Sequence, residues 1–171
     1  MRRSILIFLS LFVLCSCQAS IRDSQVLSPT ELAAREANRK LIELSKSGDP
    51  QERAAAFEEM MQFQTITPEV AVALDEYGKK ELDDRGKLRV GQTLAIAGMG
   101  KYTVKSLIEL LGNKDGEVRA NGAKILGHIG ADAKKALKAL KRVASKDEDY
   151  IKRIAGNAVR KIERAIMIRN N

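Results

Sequence analysis

Residues 115–130 read DGEVRANGAKILGHIG, and this stretch decides the fold. Its apolar residues Val118, Leu126 and Ile129 recur at helical spacing and therefore share one face of a helix. Asp115 stands directly in front of them, where an acidic N-cap satisfies the free amides of the first turn. The stretch predicts an amphipathic helix over 116–129.

The same spacing recurs on both sides of this stretch. Leu107, Leu110 and Leu111 form an apolar face just upstream, so the two runs predict a helical hairpin. Aromatic residues make up only 4% of the chain and Trp is absent, which disfavours strands. The predicted helices are near 29–46, 50–63, 68–83, 86–98, 101–112, 116–129, 132–145 and 148–168.

The prolines of the chain mark helix starts. Ser28-Pro29-Thr30-Glu31 is a capping box with proline at the first helical position, and Asp49-Pro50 repeats the device. Thr67-Pro68 is a looser version. The helical domain is therefore expected to begin at residue 28.

The hairpins repeat. Residues 118–130 align with LRVGQTLAIAGMG at 88–100 and with IKRIAGNAVRKIE at 151–163, an alignment that places Arg89, Arg119 and Lys152 in register. Asp49 and Arg53 stand sixty-six residues before Asp115 and Arg119. These spacings predict a period of 33 with about three extra residues in the second unit, and about four units over residues 28–168.

The pattern D-x-x-V-R, followed by small and aliphatic residues and then L-G-x-I-G, resembles the short HEAT-like repeat family that includes relatives of phycobilin lyases. The resemblance is strongest in the third unit and weakest in the first, where Glu52 replaces the expected aliphatic residue. It implies an all-α fold, an α-solenoid of about four HEAT-like helical hairpins. The match is carried by Asp115, Val118, Arg119, Ala123, Leu126, Gly127, Ile129 and Gly130.

The N-terminal residues read MRR, then SILIFLSLFVL, then CSCQAS, the layout of a secretory signal. Leu14-Cys15-Ser16-Cys17 resembles the bacterial lipobox. This implies a lipoprotein in which residues 1–16 are a signal peptide, Cys17 is lipidated and residues 17–27 are a tether. The alternative is an ordinary secretory signal cut after Ala19.

The lipobox resemblance also implies a location. Such a protein is held at a membrane of the cell envelope by its N-terminal lipid. Gln18, which follows the cysteine, resembles the pattern that enteric bacteria sort to the outer membrane. The expected site is the outer membrane facing the periplasm if the cell is Gram-negative.

The chain beyond Cys17 has one histidine, His128, and no further cysteine. In the HEAT-like family, deoxyhypusine hydroxylase binds two irons through His-Glu pairs, whereas Ile129 follows His128 here. We therefore predict no enzyme, no cofactor, no metal site and no small-molecule substrate. An enzyme would need an active site built from carboxylates such as Asp75, Glu76, Asp83 and Asp84. We expect these side chains to be exposed to solvent instead.

A set of polar residues is expected to line the inner surface of the solenoid and to contact a partner. His128 shares a helical face with Asn121 and Lys124. In neighbouring units the same face is expected to carry Glu58, Gln62, Asn157 and Lys161. The alternative for His128 is a solvated side chain without a partner.

Charge is unevenly distributed along the chain. Residues 18–100 carry a net charge of −3 and residues 101–171 a net charge of +9. The basic half contains a lysine stripe opposite an apolar face, which arginines of the last helix extend. The charge of this stripe suits binding to anionic lipid, cell-wall polymer or an acidic protein. Nucleic acid is not expected as a partner, because the protein is expected to be exported. The alternative is a solvated helix face that binds nothing. Its residues are Lys134, Lys138, Lys141, Arg160 and Arg164.

Two further sets of residues are expected to be structural. Asp49 with Arg53, and Asp115 with Arg119, are expected to cap helices and bridge adjacent units. Recurring glycines are expected to end helices or allow close packing: Gly98, Gly100, Gly127 and Gly130.

The leading hypothesis is a lipid-anchored, exported, non-enzymatic scaffold or adaptor that docks a protein partner in the cell envelope. The alternative is an envelope-surface element that binds anionic lipid or cell-wall polymer through its basic C-terminal half.

Overall fold

The computed structural model describes residues 28–171, so the predictions for residues 1–16, residues 17–27 and Cys17 lie outside the described residues. The chain divides into two compact units, Met1–Ala37 and Asn38–Asn171. The described part of the first unit is the start of helix α1, which spans Pro29–Leu44.

The predicted capping box is formed at the start of α1. The backbone N–H of Glu31 donates to Ser28 Oγ at 3.3 Å, and the backbone N–H of Ser28 donates to Glu31 Oε2 at 2.8 Å. These hydrogen bonds with Ser28 lower the pKa of the Glu31 carboxyl. Pro50 and Pro68 begin the next two helices, so all three prolines mark helix starts as predicted.

The second unit is an all-α solenoid, and no strand occurs between residues 38 and 171. Helix α3 packs on α4, α5 on α6, and α7 on α8, while α4, α6 and α8 lie side by side. Short 3-10 helices at Gly100–Tyr102 and Gly130–Ala136 precede α5 and α7. After α1 the α-helices are α2 Pro50–Met61, α3 Pro68–Glu81, α4 Asp84–Ile96, α5 Val104–Leu110, α6 Gly116–Ile129, α7 Leu137–Lys146 and α8 Asp149–Asn170.

The core is built from the apolar faces of these helices. One cluster includes Phe57 of α2 and Leu74 of α3, and the other includes Leu126 of α6. Helix α4 contributes Leu94 to the first cluster and Leu88 to the second. It therefore joins the core of the early hairpins to that of the later ones.

Two predicted helices begin differently from expectation. The segment predicted as one helix over 101–112 has a 3-10 turn at Gly100–Tyr102 and becomes α-helical at Val104. The segment predicted over 132–145 runs as a 3-10 helix until Ala136. The second begins at Gly130, whose positive φ of 69° turns the chain directly out of α6 and leaves no loop in which an α-helical N-cap can form.

The repeat register also differs from the predicted alignment. The side chains of Asp49, Asp83 and Asp115 each accept a hydrogen bond from an amide at the start of α2, α4 and α6, and Glu148 occupies the N-cap position of α8. These N-caps follow one another at intervals of thirty-four, thirty-two and thirty-three residues. No extra residues are needed in the second unit, so the prediction of about three was wrong.

Glycine geometry supports this register. Gly98 has a φ of +73° and follows α4, and Gly130 has a φ of +69° and follows α6. The sequence alignment instead paired Gly100 with Gly130 and placed Arg89 in register with Arg119, which is wrong. Counted from the N-caps, Lys87 is in register with Arg119.

Arg119 connects two hairpins, as predicted. Its Nη1 donates to the carbonyl oxygens of Asn113 at 2.8 Å and Lys114 at 2.9 Å, which closes the turn before α6. Its Nε and Nη2 donate to the two carboxylate oxygens of Asp147, at 2.7 and 2.6 Å, beyond the end of α7. These hydrogen bonds hold the pKa of Asp147 below its usual value, and burial opposes the shift.

Arg53 repeats this arrangement sixty-six residues earlier. It donates to the carbonyl oxygens of Ser47 at 2.9 Å and Gly48 at 3.1 Å, and its Nε donates to Glu81 at 3.1 Å. In both hairpins, therefore, the aspartate caps the helix while the arginine closes the turn and reaches the next hairpin.

Candidate interaction surface

The inner helices α2, α4, α6 and α8 each expose a stripe of side chains at equivalent positions. Nine residues after the N-cap stand Glu58, Gln92, Lys124 and Asn157. Thirteen residues after it stand Gln62, Ile96, His128 and Lys161. All of these residues are exposed, because positions four apart lie on the same side of a helix.

A first groove of about 640 Å³ lies between α4 and α6. Apolar side chains such as Leu88 and Ile125 contribute to its lining, and Ile96 is 80% exposed there. Its lining residues are Arg85, Leu88, Arg89, Gln92, Ala95, Ile96, Glu117, Asn121, Lys124, Ile125 and His128.

A second groove of about 1040 Å³ lies between α6 and α8 and shares Lys124 with the first. The two helices approach closely at Gly127, where an added Cβ would lie 3.0 Å from the Cα of Ala158. The lining residues are Lys124, Gly127, Tyr150, Arg153, Ile154, Asn157, Ala158, Arg160, Lys161, Arg164 and Met167.

The polar residues predicted for the inner surface fall into three places. Asn121, Lys124 and His128 line the first groove, and Asn157 and Lys161 line the second. The two residues of the first unit lie in neither groove.

Those two residues are Glu58 and Gln62. Glu58 forms an ion pair with Arg89 of α4 at 2.6 Å, and Gln62 is the exposed C-cap residue of α2. The Arg89 guanidinium also lies 5.5 Å from the centre of the Phe57 ring. Arg89 therefore ties α2 to α4 rather than closing a turn.

The structure divides the predicted basic stripe. Arg160 and Arg164 line the second groove. Lys134 lies in the 3-10 helix before α7, Lys138 and Lys141 lie on α7, and none of these three lines either groove. Lys141 forms an ion pair with Glu163 at 2.8 Å.

The lining of the second groove carries basic side chains and no carboxylate. The carboxylates of α8 are engaged elsewhere, since Glu163 pairs with Lys141 and Asp149 pairs with Lys152. The lining of the first groove, by contrast, includes Glu117. The lining of the first groove carries three cations beside Glu117 and that of the second carries five, so the larger excess of positive charge lies in the second groove.

Several lining residues were missed by the sequence analysis. They include Arg85, Gln92 and Ile96 in the first groove and Tyr150, Arg153 and Met167 in the second. Counting from the N-cap Asp83 finds Gln92 and Ile96, because they stand thirty-two residues before Lys124 and His128. The alignment through Arg89 put the buried Leu94 and the exposed Gly98 at those positions instead.

The Asp75 side chain was predicted to be exposed to solvent, and this prediction is wrong. It is buried, accepts a hydrogen bond from Ser106 Oγ at 2.7 Å and pairs with Lys79. Position 75 faces the core side of α3, where an unpaired carboxylate would be costly, and these partners offset that cost. Across residues 28–171, no group of three or more His, Cys, Asp or Glu side chains is placed to hold a metal ion.

A comparison with known protein families gives a match within the solenoid. Residues 80–160 match a family model described as HEAT repeats. The match covers α4, α5, α6, α7 and the first half of α8. It includes α4 and α6, which line the first groove, and part of α8, which lines the second with α6. No curated protein and no solved structure matches the chain. HEAT repeats generally mediate protein–protein interaction, and the family is generally a non-enzymatic scaffold.

Proposed function

We propose that the HEAT repeats of this chain form a non-enzymatic scaffold that binds a protein partner along α4, α6 and α8. The observation that carries the proposal is the pair of open grooves that meet at Lys124, a residue within the HEAT match. Each groove combines apolar side chains with polar ones, the composition of a protein-binding surface.

Side chains on this surface are available for a partner. Asn121, Lys124 and His128 make no side-chain hydrogen bond or ion pair with any other residue of the described chain. In contrast, Arg119 on the same helix is fully engaged by Asp147 and two carbonyl groups. Helix α6 thus uses one side for the fold and keeps another for binding.

Capture of partners from membranes tests the proposal. The variant Lys124→Glu with His128→Ala is expected to lose the proteins that the wild type captures after crosslinking, because it changes both grooves. Lys138→Glu is the control, since it makes the same lysine-to-glutamate change on α7, outside both grooves. Identical partners for wild type and the groove variant would contradict the proposal.

We further propose that the scaffold is held in the cell envelope by lipid on Cys17. The support is the basic start, the apolar run and the sequence Leu14-Cys15-Ser16-Cys17. Mass spectrometry of the mature N-terminus is expected to find an acylated Cys17. An unmodified terminus at Ser20 would contradict this part of the proposal.

Among the helices of residues 28–171, none has both the length and the apolar character needed to cross a membrane.

A second candidate function is an envelope-surface element that binds anionic lipid or polymer. Lys134 and Lys138 favour it, because both are exposed and neither forms an ion pair within the described residues. Such binding is expected to weaken steeply with added salt in the absence of any protein partner. Binding that is insensitive to salt would count against it.

A further inference from the structure

The second groove follows the axis of α8. Its lining on that helix runs from Tyr150 to Met167, a distance of about 26 Å at about 1.5 Å per residue. A helix of about 17 residues has the same length. The groove therefore offers room for one helical segment lying alongside α6 and α8.

The charge of the groove indicates an acidic occupant. Its cations are Lys124 of α6 and Arg153, Arg160, Lys161 and Arg164 of α8. Lys124, Lys161 and Arg164 form no ion pair in the part of the chain that the structure describes. On α8 the cations recur at helical spacing. Carboxylates at the same spacing on a facing helix could therefore pair with them.

Apolar side chains make a highly charged polymer a poor fit. Ile154 and Ala158 contribute to the lining, while Tyr150 and Met167 lie at its two ends with exposures of 61% and 62%. A polyanion without apolar groups would leave Tyr150, Met167 and the half-buried Ile154 uncovered. An amphipathic protein helix covers them and pairs the cations at the same time.

We infer that the second groove binds an acidic amphipathic helix of the partner protein, with apolar residues at both ends and carboxylates between them. The inference rests on the proposed scaffold function and specifies the chemistry of its partner. It concerns the second groove alone, because the lining of the first contains the carboxylate of Glu117 and that of the second contains none.

Fluorescence anisotropy with three synthetic peptides tests the inference on the full-length chain in neutral detergent. The first peptide is a helix of about 18 residues with leucines at both ends and glutamates at helical spacing between them. The second has the same composition in scrambled order, and the third replaces every glutamate with lysine. We expect the wild type to bind the first peptide at least about tenfold more tightly than either of the others.

Matched charge reversals locate the binding site. Lys161→Glu with Arg164→Glu is expected to weaken binding of the first peptide by about tenfold or more. Lys134→Glu with Lys138→Glu makes the same change in charge outside the groove and is expected to change binding by no more than about twofold. Circular dichroism of both variants verifies that they remain helical. Arg164→Gln removes a single positive charge from the groove without reversing it, and therefore perturbs the groove less than the double variant.

Several outcomes would overturn the inference. Equal weakening in both double variants would mean that binding follows net charge, and equal affinity for the scrambled peptide would mean that no helical face is recognised. Binding of phosphatidylglycerol vesicles in place of the peptide would assign the basic half to a lipid surface. If the peptide fails while capture still depends on Lys124 and His128, the scaffold proposal survives and only this inference falls.

Discussion

Arg53 and Arg119 occupy equivalent positions in two hairpins, yet their ion pairs differ in geometry and in exposure to solvent. Arg119 donates to both oxygens of Asp147, whose side chain is 9% exposed. Arg53 donates through Nε and Nη2 to one oxygen of Glu81, whose side chain is 34% exposed. Because water competes less for the half-buried bidentate pair, Arg119 is expected to stabilise the fold more than Arg53.

Substitution by lysine tests this difference. Lysine cannot bind a carboxylate through two nitrogens while also reaching two carbonyl groups. We expect Arg119→Lys to lower the free energy of unfolding by about 2 kcal/mol and Arg53→Lys by less than about 1 kcal/mol. Urea unfolding of both variants measures the effect, and equal losses would show that burial does not decide the strength of these pairs.

Two glycines in inner helices have opposite surroundings. A Cβ at Gly127 would lie 3.0 Å from the backbone Cα of Ala158, whereas at Gly156 the nearest atom would be the flexible end of Arg160 at 3.9 Å. Alanine favours a helix over glycine by about 1 kcal/mol where there is space. Gly156→Ala is therefore expected to stabilise the protein by up to that amount.

Gly127→Ala is expected to destabilise the protein by about 1–3 kcal/mol despite the better helix propensity, because α6 and α8 must move apart. Thermal unfolding of the two alanine variants compares them directly. A stabilising Gly127→Ala would show that these helices separate at little cost.

At the scale of the helix, the N-cap aspartates fix where each inner helix begins. Asp115 Oδ1 accepts a hydrogen bond from the Glu117 amide at 2.9 Å, while the side chain of Glu148 makes no such bond at the start of α8. We expect Asp115→Ala to cost about 1 kcal/mol and Glu148→Ala considerably less. Chemical denaturation supplies both values, and a larger loss for Glu148→Ala would contradict the assignment of the caps.

Most helices of the described chain were predictable because their signals are local. Pro29, Pro50 and Pro68 mark starts, and apolar spacing marks the buried faces. The 3-10 helix at Gly130–Ala136 was not, because its alanines and lysines favour an α-helix and only the turn at Gly130 imposes the tighter winding. Tertiary geometry overrode local preference there.

The interaction surface was predictable only where the register was right. Lys124 and His128 follow Asp115 at nine and thirteen residues, and Asn157 and Lys161 follow Glu148 at the same distances. The contribution of α4 was missed because similarity of sequence at Arg89 outweighed the cap at Asp83. The division of the basic stripe was also out of reach, since the sequence does not say which face of α7 meets α8.

For the whole molecule, acid unfolding is expected to depend on Asp147. Its pKa in the folded protein is lowered from the usual 3.8 by the hydrogen bonds from Arg119, so the ionised form stabilises the fold. This contribution is complete above the pKa of the unfolded state and is lost as the pH falls through the lower, folded-state pKa.

Asp147→Asn removes that titration. The difference in unfolding free energy between wild type and variant is therefore expected to be largest near neutral pH and to shrink below about pH 4. Denaturation across this range checks the sign. A difference that grows on acidification would contradict the direction of the Asp147 shift.

The two positive-φ glycines also have a consequence for the spacing of the repeats. Gly98 stands fifteen residues after Asp83, and Gly130 stands fifteen residues after Asp115, so the segment from N-cap to glycine has the same length in both hairpins even though the intervals between N-caps vary. One residue inserted within that constant segment would rotate every later side chain by about 100° around the helix axis. The same insertion between Gly130 and Leu137 would leave the phase of α6 untouched. Length can therefore vary on the outer side of each hairpin while the stripe through Lys124 and His128 keeps its direction.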